Sequence, residues 1–123
     1  MASNVTFEDR GTHLRCHYAG PFELRSLLEL AHDLRSYCAE HGHRRVLIDL
    51  RDSQGTLTTL ERYEHAVGMV KEPPLGVRAA VLVRLDQAYA DRFWETMTRN
   101  RGLVTHVSTD PTEALAWLAT DEI

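Results

Sequence analysis

Arg44-Arg45-Val46-Leu47-Ile48-Asp49-Leu50 is the stretch whose reading decides the fold. Its apolar core is nearly continuous, too short for a helix and rich in β-formers. It reads as a strand buried on both faces. Arg78-Ala79-Ala80-Val81-Leu82-Val83 repeats the pattern. Strands of this kind belong to parallel sheets whose crossover helices cover them. The expectation is that 46–50 and 79–83 lie side by side and run in the same direction.

Between them, Thr58-Thr59-Leu60-Glu61 has the form of a capping box. Thr58 would accept from the Glu61 backbone N–H, and the Glu61 carboxylate would reach back to Thr58. The helix so opened carries Leu60, Tyr63, Val67 and Val70 as its apolar stripe, and Pro73-Pro74 ends it. The segment 51–57 is a polar loop. After 79–83, Asp86 is the expected N-cap of the next helix. Tyr89, Ala90, Phe93, Trp94 and Met97 are its expected inner side, and Gly102 closes it.

Upstream, 4–8 and 14–19 read as a hairpin turned at Asp9-Arg10-Gly11. Gly20-Pro21 then breaks the strand, with Pro21 suited to the first turn of a helix. Leu24, Leu27, Leu28, Ala31, Leu34 and Cys38 form that helix's stripe, and Gly42 ends it. Downstream, 103–107 alternates enough for an edge strand. Asp110-Pro111-Thr112-Glu113 starts a last helix, with Ala114, Leu115, Trp117 and Leu118 inside. The order β-β-α-β-α-β-α-β-α implies an α/β domain with right-handed crossovers. Its sheet is mixed and mostly parallel, of about five strands with about four helices.

Composition bounds the rest. The chain has 123 residues, of which 43% are hydrophobic and 26% charged. That suits one globular domain and argues against disordered, collagen-like and disulfide-scaffold classes. A formal net charge of -4 lacks the electrostatic footprint of a nucleic-acid binder. Cys16 and Cys38 are too few for a disulfide framework and read as partly buried free thiols. The N-terminal residues show no secretory pattern, and Asp121-Glu122-Ile123 is no lipidation box. The longest apolar runs, about five or six residues, fall far short of the roughly 20 of a spanning helix. A cytoplasmic location, with no integral membrane segment, is the expectation.

The layout resembles the small bacterial SpoIIAA-like group of STAS/SEC14-like domains over nearly the whole chain. The resemblance is carried by Arg45-Val46-Leu47-Ile48-Asp49-Leu50-Arg51-Asp52, by Glu61-Arg62-Tyr63-Glu64, by Phe93-Trp94-Glu95-Thr96 with Asn100-Arg101-Gly102, and by Glu113-Ala114-Leu115-Ala116-Trp117-Leu118. It implies an STAS-like fold and, by analogy with anti-sigma-factor antagonists, a non-enzymatic module that binds a partner protein and is switched by phosphorylation. The antagonists' acceptor hydroxyl lies in an Asp-Ser-Ser-Gly motif at the helix start after the central strand. Here Asp52-Ser53-Gln54-Gly55 has Gln54 directly before the glycine, and counting from the strand end places the acceptor near Thr58 or Thr59. The SEC14-like side of the resemblance implies an alternative, a pocket for a lipid-like apolar ligand.

Each candidate has a plainer reading beside it. A phosphate on Thr59 would add about -1.5 to -2 charges near Glu61, whereas the plain reading of Thr58-Thr59 is an N-cap. Asp52, Ser53, Thr58, Thr59 and Arg62 are the switch or partner-binding candidates, within an interaction surface over 53–63. Asp49 and Asp52 flank a strand end where open α/β sheets place ligands, but Arg51 between them and Arg44-Arg45 before them favour ion pairing. Cys16-His17, Cys38-x-x-His41 and His41-Gly42-His43 lack the spacing of a structural zinc site, so no metal or cofactor is expected. No nucleophile elbow or phosphate-binding glycine motif occurs, so no catalytic residue is assigned, and an enzyme is the least favoured option. Tyr63, Phe93 and Trp94 are the apolar-ligand candidates, against a packed core. Phe93 and Trp94 point about 100° apart on a helix, so both face inward only if the buried arc is wide. Arg101 complements a helix C-terminus. A homodimer is an option, because small domains gain burial that way.

Overall fold

The computed structural model describes residues 4–70, apart from the Val70 side chain, and 77–120. Pro73-Pro74 and the Val70 side chain, both part of the sequence reading, lie outside the described residues. The elements are β1 (Val5–Asp9), β2 (Leu14–Tyr18), α1 (Leu24–His41), β3 (Arg45–Asp49), α2 (Thr59–Val70), β4 (Arg78–Leu82), α3 (Leu85–Arg99), β5 (Val104–Ser108) and α4 (Pro111–Ala119). The strands form one sheet in the order β1-β2-β3-β4-β5. β1 and β2 are antiparallel, joined at Gly11 with φ 85, and the other three pairs are parallel. Ile48 faces Val81 in the β3–β4 register. The side-by-side, same-direction placement of the two apolar stretches is therefore as expected.

Both faces of the sheet are covered, which is why its central strands lack polar alternation. On one face Leu14, Cys16, Val46, Ala79 and Val81 meet Leu27, Leu30, Leu34 and Cys38 of α1. On the other, Leu47, Ala80 and Leu82 meet Ala114 and Leu118 of α4. Each fully buried Leu or Val contributes about 1.5–3 kcal/mol of transfer free energy. Cys16 and Cys38 are both buried free thiols, and burial pushes Cys16 up to about 12. The α1 stripe is turned slightly from the expected one: Leu30 is buried, and Leu24, Leu28 and Ala31 are half-buried. Pro21 is not in α1. It bridges to Gln54, and α1 begins after Glu23, because the Phe22 N–H donates to the Gln54 carbonyl and holds 21–22 extended.

The larger corrections are in α2 and α3. Leu60 (65% exposed) and Tyr63 lie outside on α2, while Arg62, His65 and Ala66 are buried. On α3, Tyr89 is 93% exposed and Phe93 lies outside, while Gln87, Asp91, Glu95 and Thr98 are buried. Ala90, Trp94 and Met97 are half-buried. Asp86 is not the N-cap of α3. Arg84 is, and the Asp86 carboxylate accepts from Arg84 Nε at 3.1 Å.

The reason for the inverted α3 is the edge strand it covers. β5 is an edge, as expected, and leaves backbone groups of Thr105 and Val107 pointing outward. Val107 N–H donates to Glu95 Oε2 at 2.6 Å, and Arg99 Nε donates to the Thr105 carbonyl at 2.6 Å. Thr98 Oγ1 lies 2.7 Å from Thr105 Oγ1. α3 thus supplies the hydrogen bonds a further strand would have made, and it protects the edge from pairing with another chain. A helix packed on a strand edge needs polar groups inside. α4 starts as expected, Asp110 accepting from Thr112 N–H at 2.9 Å. Its buried residues are Ala114 and Leu118, with Leu115 exposed and Trp117 half-buried.

Candidate functional site

The loop from β3 into α2 is built from its backbone outward. Ser53 is buried, and its hydroxyl donates to the Leu50 carbonyl at 2.5 Å. Arg84 reaches over from the α3 start, donating to the Ser53 carbonyl and, at 2.6 Å, to the Gly55 carbonyl. Gly55 has φ 106, a conformation that favours glycine, and a Cβ there would sit a tight 3.3 Å from the Phe22 carbonyl oxygen. The capping box is complete: Thr58 N–H donates to Glu61 Oε1 at 2.8 Å, and Glu61 N–H donates to Thr58 Oγ1 at 3.1 Å. Thr59 and Asp52 are exposed.

A polar cluster joins α2 to α3. Arg62 donates from Nε to Asp91 Oδ1 at 2.8 Å, from Nη2 to Gln87 Oε1 at 2.5 Å, and from Nη1 to the Leu57 carbonyl. Thr56 Oγ1 also donates to Gln87 Oε1, at 2.8 Å. Burial pushes the Asp91 carboxyl up, and Arg62 beside it pulls the other way without cancelling the rise. One turn further on, Trp94 Nε1–H donates to His65 Nδ1 at 2.8 Å. That bond makes Nδ1 an acceptor, so the proton of the neutral ring is on Nε2.

His65 is therefore held neutral. Burial lowers its pKa, with the Leu27 backbone opposing. Protonation would also set a second N–H against that of Trp94. A folded-state value below the unfolded one means that the stability it protects is present above pH about 6.5 and is lost as pH falls through the folded value. Urea unfolding at pH 7.5 and 5.0 is expected to show a smaller acid loss in His65→Phe than in the wild type. Equal losses would remove His65 as a source of acid sensitivity.

The outer side of the same helix pair carries several exposed apolar side chains. Leu60, Tyr63, Leu85 (82% exposed), Tyr89 and Phe93 stand in solvent among the described residues. Arg101 Cζ lies 5.6 Å from the Tyr63 ring centre, and Arg101 Nη1 caps α3 through the Met97 carbonyl at 3.1 Å. A shallow groove runs between the helices, with Thr59, Arg62, Tyr89 and Phe93 in its walls.

Beneath α2 and α3 is an apolar cavity of about 80 Å³, bordered by Leu27, Leu34, Val81, His65 and Trp94. Of the three apolar-ligand candidates only Trp94 lines it; Tyr63 and Phe93 face outward. Small-molecule sites usually run from about 300 Å³ upward. At the strand ends, Asp49 accepts from Arg15 and Arg51 at 3.0 and 2.9 Å, so ion pairing explains it, without Arg44 or Arg45. Arg45 instead donates to the Leu118 carbonyl. Asp52 Oδ2 lies 2.7 Å from His17 Nε2. Among the described residues no group of three or more His, Cys, Asp or Glu side chains is placed to hold a metal ion.

A crystal structure of an uncharacterized DUF3478-family protein with a SpoIIAA-like fold, from Shewanella loihica PV-4, superposes with a TM-score of 0.53 at 19% identity, covering 97% of this chain and 99% of that one. The fold is SpoIIAA-like. No protein-family profile and no curated protein sequence matches the chain. Among the described residues no helix is long and apolar enough to cross a membrane.

On this SpoIIAA-like frame the acceptor candidates separate. Ser53 is buried with its hydroxyl committed, Thr58 is engaged in the capping box, and Thr59 is exposed at the first turn of α2. Leu85, Arg84, Gln87 and Asp91 were not singled out in the sequence. The available signal was the spacing of Gln87, Asp91, Glu95 and Thr98, as periodic as the apolar stripe opposite.

Proposed function

We propose that this protein is a non-enzymatic STAS-type module that binds protein through the outer face of α2 and α3. The observation that carries the reading is the exposure of Leu60, Tyr63, Leu85, Tyr89 and Phe93 on one helix pair that buries Arg62, Gln87, Asp91 and Glu95 instead. Exposed apolar groups so concentrated mark interaction sites, and aromatic residues are enriched there. The face overlaps the 53–63 segment at Leu60 and Tyr63. Thr59 at its margin is the switch point of this reading: a phosphate there brings about -1.5 to -2 charges to the rim of an apolar contact. A lipid-like ligand is the weaker reading, since a cavity of about 80 Å³ would have to widen several-fold.

The test is a photo-crosslinking residue, p-benzoylphenylalanine, in place of Tyr89, with the same residue in place of exposed Arg25 on α1 as control. Protein adducts are expected at position 89 and not at 25, and Thr59→Glu is expected to reduce them. Equal yields at the two positions would count against the reading.

A further inference from the structure

We infer that the occupant of the α2–α3 outer face is a second copy of this chain. The inference rests on the reading that this face binds protein, and it names the partner. Three observations carry it: how much apolar surface stands outside, where the exposed charges flanking it lie, and how the β5 edge of the sheet is closed.

With large side chains of roughly 150–250 Å² each, the exposures of Leu60, Tyr63, Leu85, Tyr89 and Phe93 leave on the order of 600 Å² outside. One side of a standard interface buries about 800 Å². Rim residues Thr59, Arg92 and Thr96, all in the walls of the groove, supply the difference. The patch alone comes close to what a stable dimer needs from each copy.

Charge at the rim offers one cross-helix pair. Beside the patch, Glu64 is exposed on α2 and Arg92 on α3, while Glu61 is held by the capping box, Arg99 is turned onto the Thr105 carbonyl and Asp86 is paired with Arg84. A two-fold axis running along the groove lays α2 of one copy on α3 of the other. Glu64 of each copy then meets Arg92 of the other, twice over, as an isologous contact requires. Arg92 is half-exposed and meets Glu95 of its own helix at 3.3 Å, a solvent-screened contact, so it can turn outward at little cost.

The third observation excludes a competing mode. Growth of the sheet by pairing at β5 is blocked, because Glu95 and Arg99 already occupy the outward Val107 N–H and Thr105 carbonyl. On this side of the molecule, helix packing is the contact left.

The experiment is sedimentation equilibrium of the purified chain. The average mass is expected to rise from the 14.0 kDa of one chain toward twice that value between about 1 and 100 μM. Tyr89→Asp, exposed in the free chain, should keep the wild-type Tm at low concentration and stay at the single-chain mass throughout. Glu64→Arg and Arg92→Glu should each weaken dimerisation at least 10-fold, and the double variant should recover to within about 3-fold. A wild type that remains single through 100 μM overturns the inference, as does a Tyr89→Asp chain that dimerises normally. Failure of charge recovery overturns the α2-on-α3 arrangement. A single-chain wild type that still crosslinks another protein at position 89 would leave the interaction module standing and remove only the second copy.

Discussion

Replacing Arg62 by methionine is expected to lower the unfolding free energy by about 3–5 kcal/mol. The size follows from what the change leaves behind. Arg62 is 3% exposed and satisfies three acceptors at once: the Asp91 carboxylate, the Gln87 side chain and the Leu57 carbonyl. Methionine fills much of the volume but donates nothing. Asp91, itself 5% exposed, would keep a charge with no cation beside it, and its Oδ2 already lacks a hydrogen-bond partner. The carboxyl would then protonate more readily, its burial no longer opposed by Arg62. Arg62→Met with Asp91→Leu is expected to recover most of the loss, because an apolar pair of similar volume carries no desolvation cost. Urea unfolding of the two single variants and the double variant measures the coupling. A single variant within about 1 kcal/mol of wild type would mean that α2 and α3 are not held by this pair.

That cluster also marks the boundary of what the sequence disclosed. β3 and β4 were legible because a strand buried on both faces leaves one kind of pattern, a short unbroken apolar run. The α2 and α4 starts were legible because caps are local: Thr58 with Glu61, and Asp110 with Thr112, lie within a few residues of each other. The orientations of α2 and α3 were not legible. Periodicity finds the axis along which apolar and polar residues separate, and the side that faces inward is then taken to be apolar. Here the inward side is set by partners far away in sequence. Arg62 is buried because Asp91 and Gln87 meet it, and Glu95 and Arg99 turn in because β5 presents unpaired backbone groups. The same inversion leaves Leu60, Tyr89 and Phe93 outside, so the error about packing and the candidate site have one physical origin. Ser53 was ambiguous for a related reason: only the folded loop shows its hydroxyl donating to Leu50.

Asp49→Asn is expected to cost about 2–3 kcal/mol at pH 7, less than the enclosed Arg62 pair because Arg15 and Arg51 both reach solvent. Asp49 is 2% exposed at the end of the central strand, and its carboxylate accepts from Arg15 Nη2 at 3.0 Å, from Arg51 Nε and Nη2 at 3.0 and 2.9 Å, and from the Arg51 backbone N–H at 3.1 Å. Asparagine keeps the shape but turns an amide N–H₂ toward a guanidinium. The pH dependence identifies the cause. Burial raises the Asp49 carboxyl, but hydrogen bonds from Arg51 and the charges of Arg51 and Arg15 outweigh it and hold it below the usual carboxylate range. A depressed folded-state value gives stability that is full above the unfolded value near pH 4 and lost as pH falls through the folded one. The gap between wild type and Asp49→Asn should therefore be constant from pH 7 to about 5 and narrow below pH 4. Should the gap persist unchanged to pH 2.5, the loss would come from the shape and hydrogen bonding of the amide, and the charge would not be what ties the β2 and β3 ends together. Because the β3 end leads directly into the 50–58 loop, and Arg84 pins that loop to the start of α3, a weakened Asp49 cluster should also loosen the Thr59 helix start and, with it, the apolar face proposed for binding.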